Sequence, residues 1–225
     1  MKKTKLMTLL MCLVMVFSCQ TKQGTGALIG TGGGAVLGAI IGRVAGNTAV
    51  GAAIGATVGA GAGAMIGKRM DKVAKQTAER VKNAKVEEVT DANGLKAVKV
   101  TFDSGILFAT NKADLNQTSK NELAKFSQVL KENKDCLVDI YGHTDNTGND
   151  GINIPLSNSR AQSVVSYLTA CGVPYAQFQK VEGKGSAEPV ADNSSVSGRQ
   201  QNRRVEVYLY ASKAMVDAAN NGTLK

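Results

Sequence analysis

Residues 86–102 read VEEVTDANGLKAVKVTF, two strand-like runs on either side of Asn93-Gly94. An Asn-Gly pair between such runs supplies the positive φ angles of a tight turn, so Val86 to Thr90 and Leu95 to Phe102 are expected to be the arms of a β-hairpin. Downstream, a helix is expected to open with a capping box from Ser119 to Glu122 and to carry Leu123, Phe126 and Leu130 on one face. Cys136 to Gly142 reads as a strand with Val138 and Ile140 facing one way, and residues 144–155 as a polar loop. A second helix starting near Ser157 places Ala161, Val164, Val165 and Leu168 at helical spacing. Strands at Phe178 to Gly183 and Arg204 to Tyr210 complete the set. This order predicts an α/β domain over residues 86–212, an α+β sandwich whose mixed sheet carries two helices on one face, with 213–225 as a C-terminal tail.

Upstream the composition changes. Most of the 25 glycines lie in the first 67 residues, and Gly26, Gly30, Gly34, Gly38, Gly42 and Gly46 are spaced by four. Gly51, Gly55, Gly59, Gly63 and Gly67 resume the same spacing. That period aligns each set along one helical ridge, and because glycine costs a helix ~1 kcal/mol relative to Ala, such rows are expected where backbones approach closely. Residues 19–67 are therefore expected to form a helical hairpin turning at Asn47 to Val50, its ridges facing each other or a neighbouring copy. At ~1.5 Å per residue the first helix could cross a bilayer core and the second falls slightly short. Residues 68–85 hold seven Lys or Arg against Asp71 and Glu79, with Val73, Ala74, Ala78 and Val81 along one side. They are expected to form an exposed basic stem, either solvated or resting on anionic headgroups or an acidic polymer.

The net charge of +9 does not belong to the C-terminal region, since residues 86–225 hold 15 basic and 16 acidic side chains. The basic footprint that a nucleic-acid partner requires is missing there. Met1 to Ser18 has the form of a secretory signal: Lys2, Lys3 and Lys5 precede an apolar run from Leu6 to Phe17. Cys12 would leave with it. Cys136 and Cys171 would then stand in an oxidising compartment, either as a disulfide or as two free thiols. No CxxC exists and His143 is the sole histidine, so neither a metal site nor a cofactor is expected.

Three resemblances add to this reading. Val16, Phe17, Ser18 and Cys19 resemble a bacterial lipobox. That implies cleavage before Cys19, acylation of Cys19 and anchorage in membrane lipid. By the same resemblance, Gln20 after the cysteine favours the outer membrane. The GxxxG rows resemble the glycine-zipper segments of envelope lipoproteins, which implies a capacity to form a homo-oligomer. The strings GHTDNTG (142–148), LSNSRA (156–161) and NRRVEV (202–207), with FDSGILFATNKADL (102–115), resemble the OmpA-like peptidoglycan-binding domain. The implied ligand is the zwitterionic diaminopimelate of the wall's stem peptide, with Asp145 for its ammonium and Arg160 for its carboxylate. Motif position implies pocket roles for Asn111, Thr147 and Asn153, and for one of Arg203 and Arg204. Ala109 stands where that family usually carries Asp.

The residues themselves contribute a further expectation: a helix beginning near Ser157 puts Arg160 in its first turn, where the macrodipole disfavours a cation by ~0.3–1 kcal/mol and the free N–H groups favour an anion. Catalysis is not expected. Cys136 and His143 are seven positions apart on one strand and face opposite ways, and no HExxH or zinc triad is present. The expected function is non-catalytic wall binding by a lipid-anchored protein on the periplasmic side of the outer membrane. The alternative is a glycine-zipper assembly factor or membrane-active lipoprotein tethered by wall binding.

Overall fold

The computed structural model describes residues 39–40, 58, 59, 61–103, 108 and 111–225. The expected signal segment, Cys19, the hairpin turn at 47–50 and Ala109 lie outside the described residues. The hairpin around Asn93-Gly94 is present, with β2 at Ala84–Thr90 and β3 at Lys96–Asp103. Gly94 has φ 78°, and Asp91 Oδ1 accepts the N–H groups of Asn93 (2.8 Å) and Leu95 (2.9 Å), so one carboxylate closes the turn. The remaining strands are β1 at Ala39–Ile40, β4 at Cys136–Gly142, β5 at Phe178–Gly183 and β6 at Arg204–Ala211.

The sheet order is β1-β2-β3-β6-β4-β5. β1 pairs parallel to β2 and β4 parallel to β5, while the other pairs are antiparallel. The last strand thus inserts between β3 and β4. Its alternation sends Val205, Val207 and Leu209 to one face, in register with Phe102, Val100 and Val98 of β3 and with Ile140 and Val138 of β4.

Helices cover that face. α1 is Ala62–Arg80, α2 is Gln117–Glu132 and α3 is Asp150–Ala170. Two short helices follow, α4 at Val196–Asn202 and α5 at Lys213–Asn220. α2 buries Leu123, Phe126 and Leu130 as expected, with the Phe126 ring edge-on to Phe102 at 5.6 Å. Its cap is Asn116, whose Oδ1 accepts Ser119 N–H at 2.9 Å, so the expected Ser119 to Glu122 box lies one turn inside the helix with both residues buried.

The stem expectation is corrected. α1 is no exposed helix over 68–85, because Ile66, Met70, Val73 and Thr77 form a continuous buried stripe against β2, β3, α2 and α5. Met70 Sδ lies 4.0 Å from Cys136 Sγ on β4. The apolar period runs through residue 67, where the change in composition suggested a boundary. Arg69 pairs with Asp135 (2.9 Å) and Arg80 with Glu132 (2.7 Å), so two of the charges expected on an exposed stem bind this domain instead. The tail is corrected in the same way, since α5 buries Met215, Val216 and Ala219. Of the glycine rows, Gly63 and Gly67 lie within α1 with no described atom within 4 Å of a Cβ built on either, Ala39–Ile40 is extended, and the rest of the expected hairpin lies mostly outside the described residues. No helix among the described residues is long and apolar enough to cross a membrane.

Cys136 and Cys171 are free thiols. Burial pushes the Cys136 thiol up to about 12, which keeps it protonated and inert.

Candidate ligand site at the end of the fourth strand

α3 is set against the sheet by two close approaches. A Cβ on Gly142 would stand 2.2 Å from Ser157 O, and one on Gly183 would stand 2.2 Å from Asn158 N, so only glycine permits this crossing. Asn158 Oδ1 accepts Gly183 N–H at 2.6 Å and Ser157 Oγ accepts Gly185 N–H at 2.9 Å. This anchorage fixes the turn that carries Arg160.

The helix begins earlier than the sequence suggested, at Asp150 with Asn149 as cap, and Pro155 is accommodated inside it. Arg160 is therefore in the middle of a 21-residue helix, and the first-turn dipole expectation is overturned. A different property singles the residue out. Arg160 is only 2% exposed, its Nε donates to Lys112 O at 3.1 Å, and its guanidinium lies 5.3 Å from the centre of the Phe108 ring. Its Nη1 is buried without a hydrogen-bond partner among the described residues. Burial pushes the Arg160 pKa down and the nearby Arg203 cation pushes the same way, with Asp145 opposing them. A buried cation with an unused donor favours an anion.

Asp145 follows β4 in a loop held by His143 N–H to Arg204 O (2.9 Å) and Thr144 N–H to Gly185 O (2.8 Å). Its Oδ2 accepts Arg203 Nη1 at 2.5 Å and its Oδ1 accepts Thr147 N–H at 2.8 Å. Burial alone would raise the Asp145 pKa, but Arg203 and Thr147 together hold it below the usual carboxylate range. Asn153 is buried and its Nδ2 donates to Thr147 O at 3.1 Å, fixing the loop from beneath, while Thr147 is exposed. Asn111 is exposed and left-handed, with φ 54°, a conformation that Asn tolerates.

Of the two adjacent arginines, Arg203 belongs to this site and Arg204 does not. Arg204 is 1% exposed and its Nε donates to Glu206 Oε1 at 2.6 Å. Nη1 and Nη2 donate to Asn202 O (3.3 Å) and Glu188 O (3.1 Å). These bonds tie Arg204 into the interior of the domain, and of the two arginines expected to offer one pocket residue it is Arg203 that reaches Asp145. Glu206 also accepts from Tyr208 OH at 2.6 Å and pairs with Lys99 at 2.8 Å. Burial would raise the Glu206 pKa, but Arg204 and Lys99 overcome it and hold the carboxyl at about 2. Two residues missed in the sequence complete the Arg160 environment: Phe108 and the carbonyl of Lys112. Phe108 lay within a recognised motif, but no sequence signal marks a carbonyl as a partner.

Residues 107–203 match the OmpA family, and the match spans Asp145, Arg160 and Arg203. The domain belongs to the OmpA family. Residues 1–71 match the YMGG-like Gly-zipper, so two of the three resemblances read in the sequence, the glycine-zipper and the OmpA-like ones, hold. The chain is 41% identical over 110 residues to the outer-membrane lipoprotein YfiB of Pseudomonas aeruginosa, covering 49% of this chain and 65% of that one. It is also 41% identical over 113 residues to the peptidoglycan-binding protein ArfA of Mycobacterium bovis, covering 50% of this chain and 34% of that one. The chain therefore spans less than two thirds of the length of these relatives. Among solved structures, the cell wall anchor of the T6SS from Pseudomonas aeruginosa is 31% identical with a TM-score of 0.53, covering 62% of this chain and 97% of that one. In this OmpA-family domain the strand, loop and helix that meet at Gly142 all carry the family's matched residues.

Proposed function

We propose that the domain binds the peptidoglycan stem peptide without catalysis and thereby tethers the outer membrane to the cell wall. The observation that carries this reading is the buried Arg160 guanidinium, whose Nη1 has no hydrogen-bond partner among the described residues. A ligand carboxylate meets that donor, and Asp145, already steadied by Arg203 and Thr147, takes an adjacent ammonium. Diaminopimelate presents both groups side by side. Thr147 and Asn111 border the ligand and Asn153 holds the loop in shape. The names of the mycobacterial and pseudomonad relatives, which refer to peptidoglycan binding, cell-wall anchoring and an outer-membrane lipoprotein, support the wall as partner and a periplasm-facing location. Acylated Cys19 supplies the membrane end of the tether.

The test is pull-down of the purified protein by insoluble sacculi. Asp145→Ala and Arg160→Ala are expected to abolish retention while circular dichroism stays unchanged. Undiminished binding in both variants would sink the reading, and release of soluble wall fragments by the wild type would replace binding with hydrolysis. Cys19→Ala is expected to move the protein from the membrane to the soluble fraction. The Gly-zipper match over residues 1–71 supports a second role, self-association through the glycine rows. Replacing alternate glycines in that segment by Leu is expected to dissolve the oligomer and leave sacculus binding intact.

A further inference from the structure

The end of the sheet away from the Asp145 loop carries a second charged feature. Arg69 and Asp135 pair there, beside the start of β4, and Ser212 N–H donates to Asp135 O (3.1 Å), so β6 ends at the same place. β4 is seven residues long, so roughly 20 Å of strand separates this end from Gly142 and the loop that carries Asp145. The described residues upstream of α1 meet the domain here. Ala39 and Ile40 pair with Val89 and Thr90, at the end of β2 that adjoins the start of β3 and the end of β6. Gly59 N–H donates to Asn220 Oδ1 at 2.9 Å.

A groove of about 310 Å³ opens at this end, lined by Met65, Lys68, Arg69 and Lys72 of α1 and by Leu224 and Lys225. Lys68, Lys72 and Lys225 are exposed and have no ion-pair partner among the described residues. The acidic groups nearby are already committed, Asp135 to Arg69, Asp71 to Lys96 and Glu132 to Arg80. Lys68 and Lys72 stand four apart and so share one ridge of α1. Met65 and Leu224 give the groove a partly buried apolar floor. Cations around an apolar floor match a phospholipid surface, because the ammonium groups meet headgroup phosphate while the lysine stems lie along apolar surface. A soluble anion would use the ammonium groups and leave the floor wet.

We infer that this groove seats the domain on the anionic phospholipid surface in which its N-terminal segment is anchored. The inference rests on that membrane anchorage and is independent of the wall-peptide reading. A few basic side chains suffice, because the anchor keeps them at high local concentration beside the surface, and an acyl chain and a basic patch hold together where either alone is weak. Seated this way, the domain turns the Asp145 and Arg160 site away from the lipid.

The chain contains no Trp, so a single introduced indole reports on one place. The test reconstitutes the full chain carrying Leu224→Trp in vesicles of phosphatidylcholine, with or without phosphatidylglycerol, and reads quenching of the indole by brominated acyl chains. Quenching is expected in the phosphatidylglycerol vesicles, and its loss in phosphatidylcholine alone and in the Lys68→Glu, Lys72→Glu double variant. Met65→Trp, from the other wall of the groove, is expected to behave alike, which separates the result from any local effect of the Leu224 substitution. Val196→Trp, exposed in the helix that leads to Arg203, is expected to stay unquenched throughout. Floated protein with neither groove reporter quenched, equal quenching in the two lipid mixtures, or quenching that survives the double variant would overturn the seating alone. So would quenching abolished by inorganic phosphate at constant ionic strength, which would mark a soluble anion as the occupant. A full chain that floats with neither vesicle would overturn the membrane anchorage and the seating with it.

Discussion

Arg203 Nη1 donates to Asp145 Oδ2 at 2.5 Å, joining the entrance of β6 to the loop after β4 across 58 positions of sequence. Arg160 stands close enough to sense both charges but bonds to neither, and among the described residues its hydrogen bond is to Lys112 O. Asp145 is thus neutralised within the protein while Arg160 is not, and the site has an excess of positive charge where a carboxylate is expected to bind.

That imbalance predicts a separation of stability from binding. A buried cation without a carboxylate partner is costly, and replacing such a group by an apolar one of similar size is often neutral or stabilising. Arg160→Met is therefore expected to keep or raise the urea midpoint while reducing sacculus binding by at least about tenfold. A lowered midpoint would mean that Arg160 is chiefly structural.

The adjacent arginines are expected to behave oppositely. Arg204→Ala leaves the Glu206 carboxylate buried without its closest cation, which costs on the order of 3–5 kcal/mol in urea denaturation. The Arg203 side chain is 35% exposed, so Arg203→Ala is expected to cost under about 1 kcal/mol of stability and to weaken wall binding by releasing Asp145. Comparable stability losses in the two variants would contradict this division.

The single histidine provides a pH signature. Burial and the Arg204 cation push the His143 pKa down from 6.5 to about 3, with Glu206 opposing. Between those values the unfolded chain binds the proton and the folded protein does not, so stability falls as the pH drops from about 6.5 toward 3, by up to ~1.4 kcal/mol per unit. His143→Gln is expected to flatten that slope in urea titrations at pH 4.5–6.5. An unchanged slope would rule out the buried neutral imidazole as its source.

The domain is expected to need α1. A chain beginning at residue 86 loses the burial of Ile66, Met70 and Val73, each worth roughly 1.5–3 kcal/mol as an upper estimate, and exposes the face beneath them. It should be several kcal/mol less stable than a chain beginning at residue 58, measured by urea denaturation. Equal midpoints would restore the free-stem picture.

Much of the domain was legible because it depends on local chemistry. Asn93-Gly94 specifies its own turn, and Cys136–Gly142, with Val138 and Ile140 facing one way, and Phe178–Gly183 are strands with the bounds read from the sequence. The start of α3 was not legible. Gly151 and Pro155 read as loop residues, yet the helix begins before both, with its N-terminus capped by Asn149 and its third turn, at Asn158, held against Gly183. α1 was misread because glycine spacing and charge drew a boundary at residue 67 that the buried stripe from Ile66 to Thr77 crosses.

By itself, the sequence determined the OmpA-family frame and the motifs in which Asp145, Arg160 and Arg203 stand. Only the tertiary structure decided which charge meets which. Arg203 precedes β6 and reaches Asp145, whereas Arg204 is the first residue of the strand and points into a buried network with Glu206. The physical reason is that ion pairing depends on strand register and on the close crossing of α3 over Gly142 and Gly183. Those contacts join residues far apart in the chain, so no local pattern encodes them.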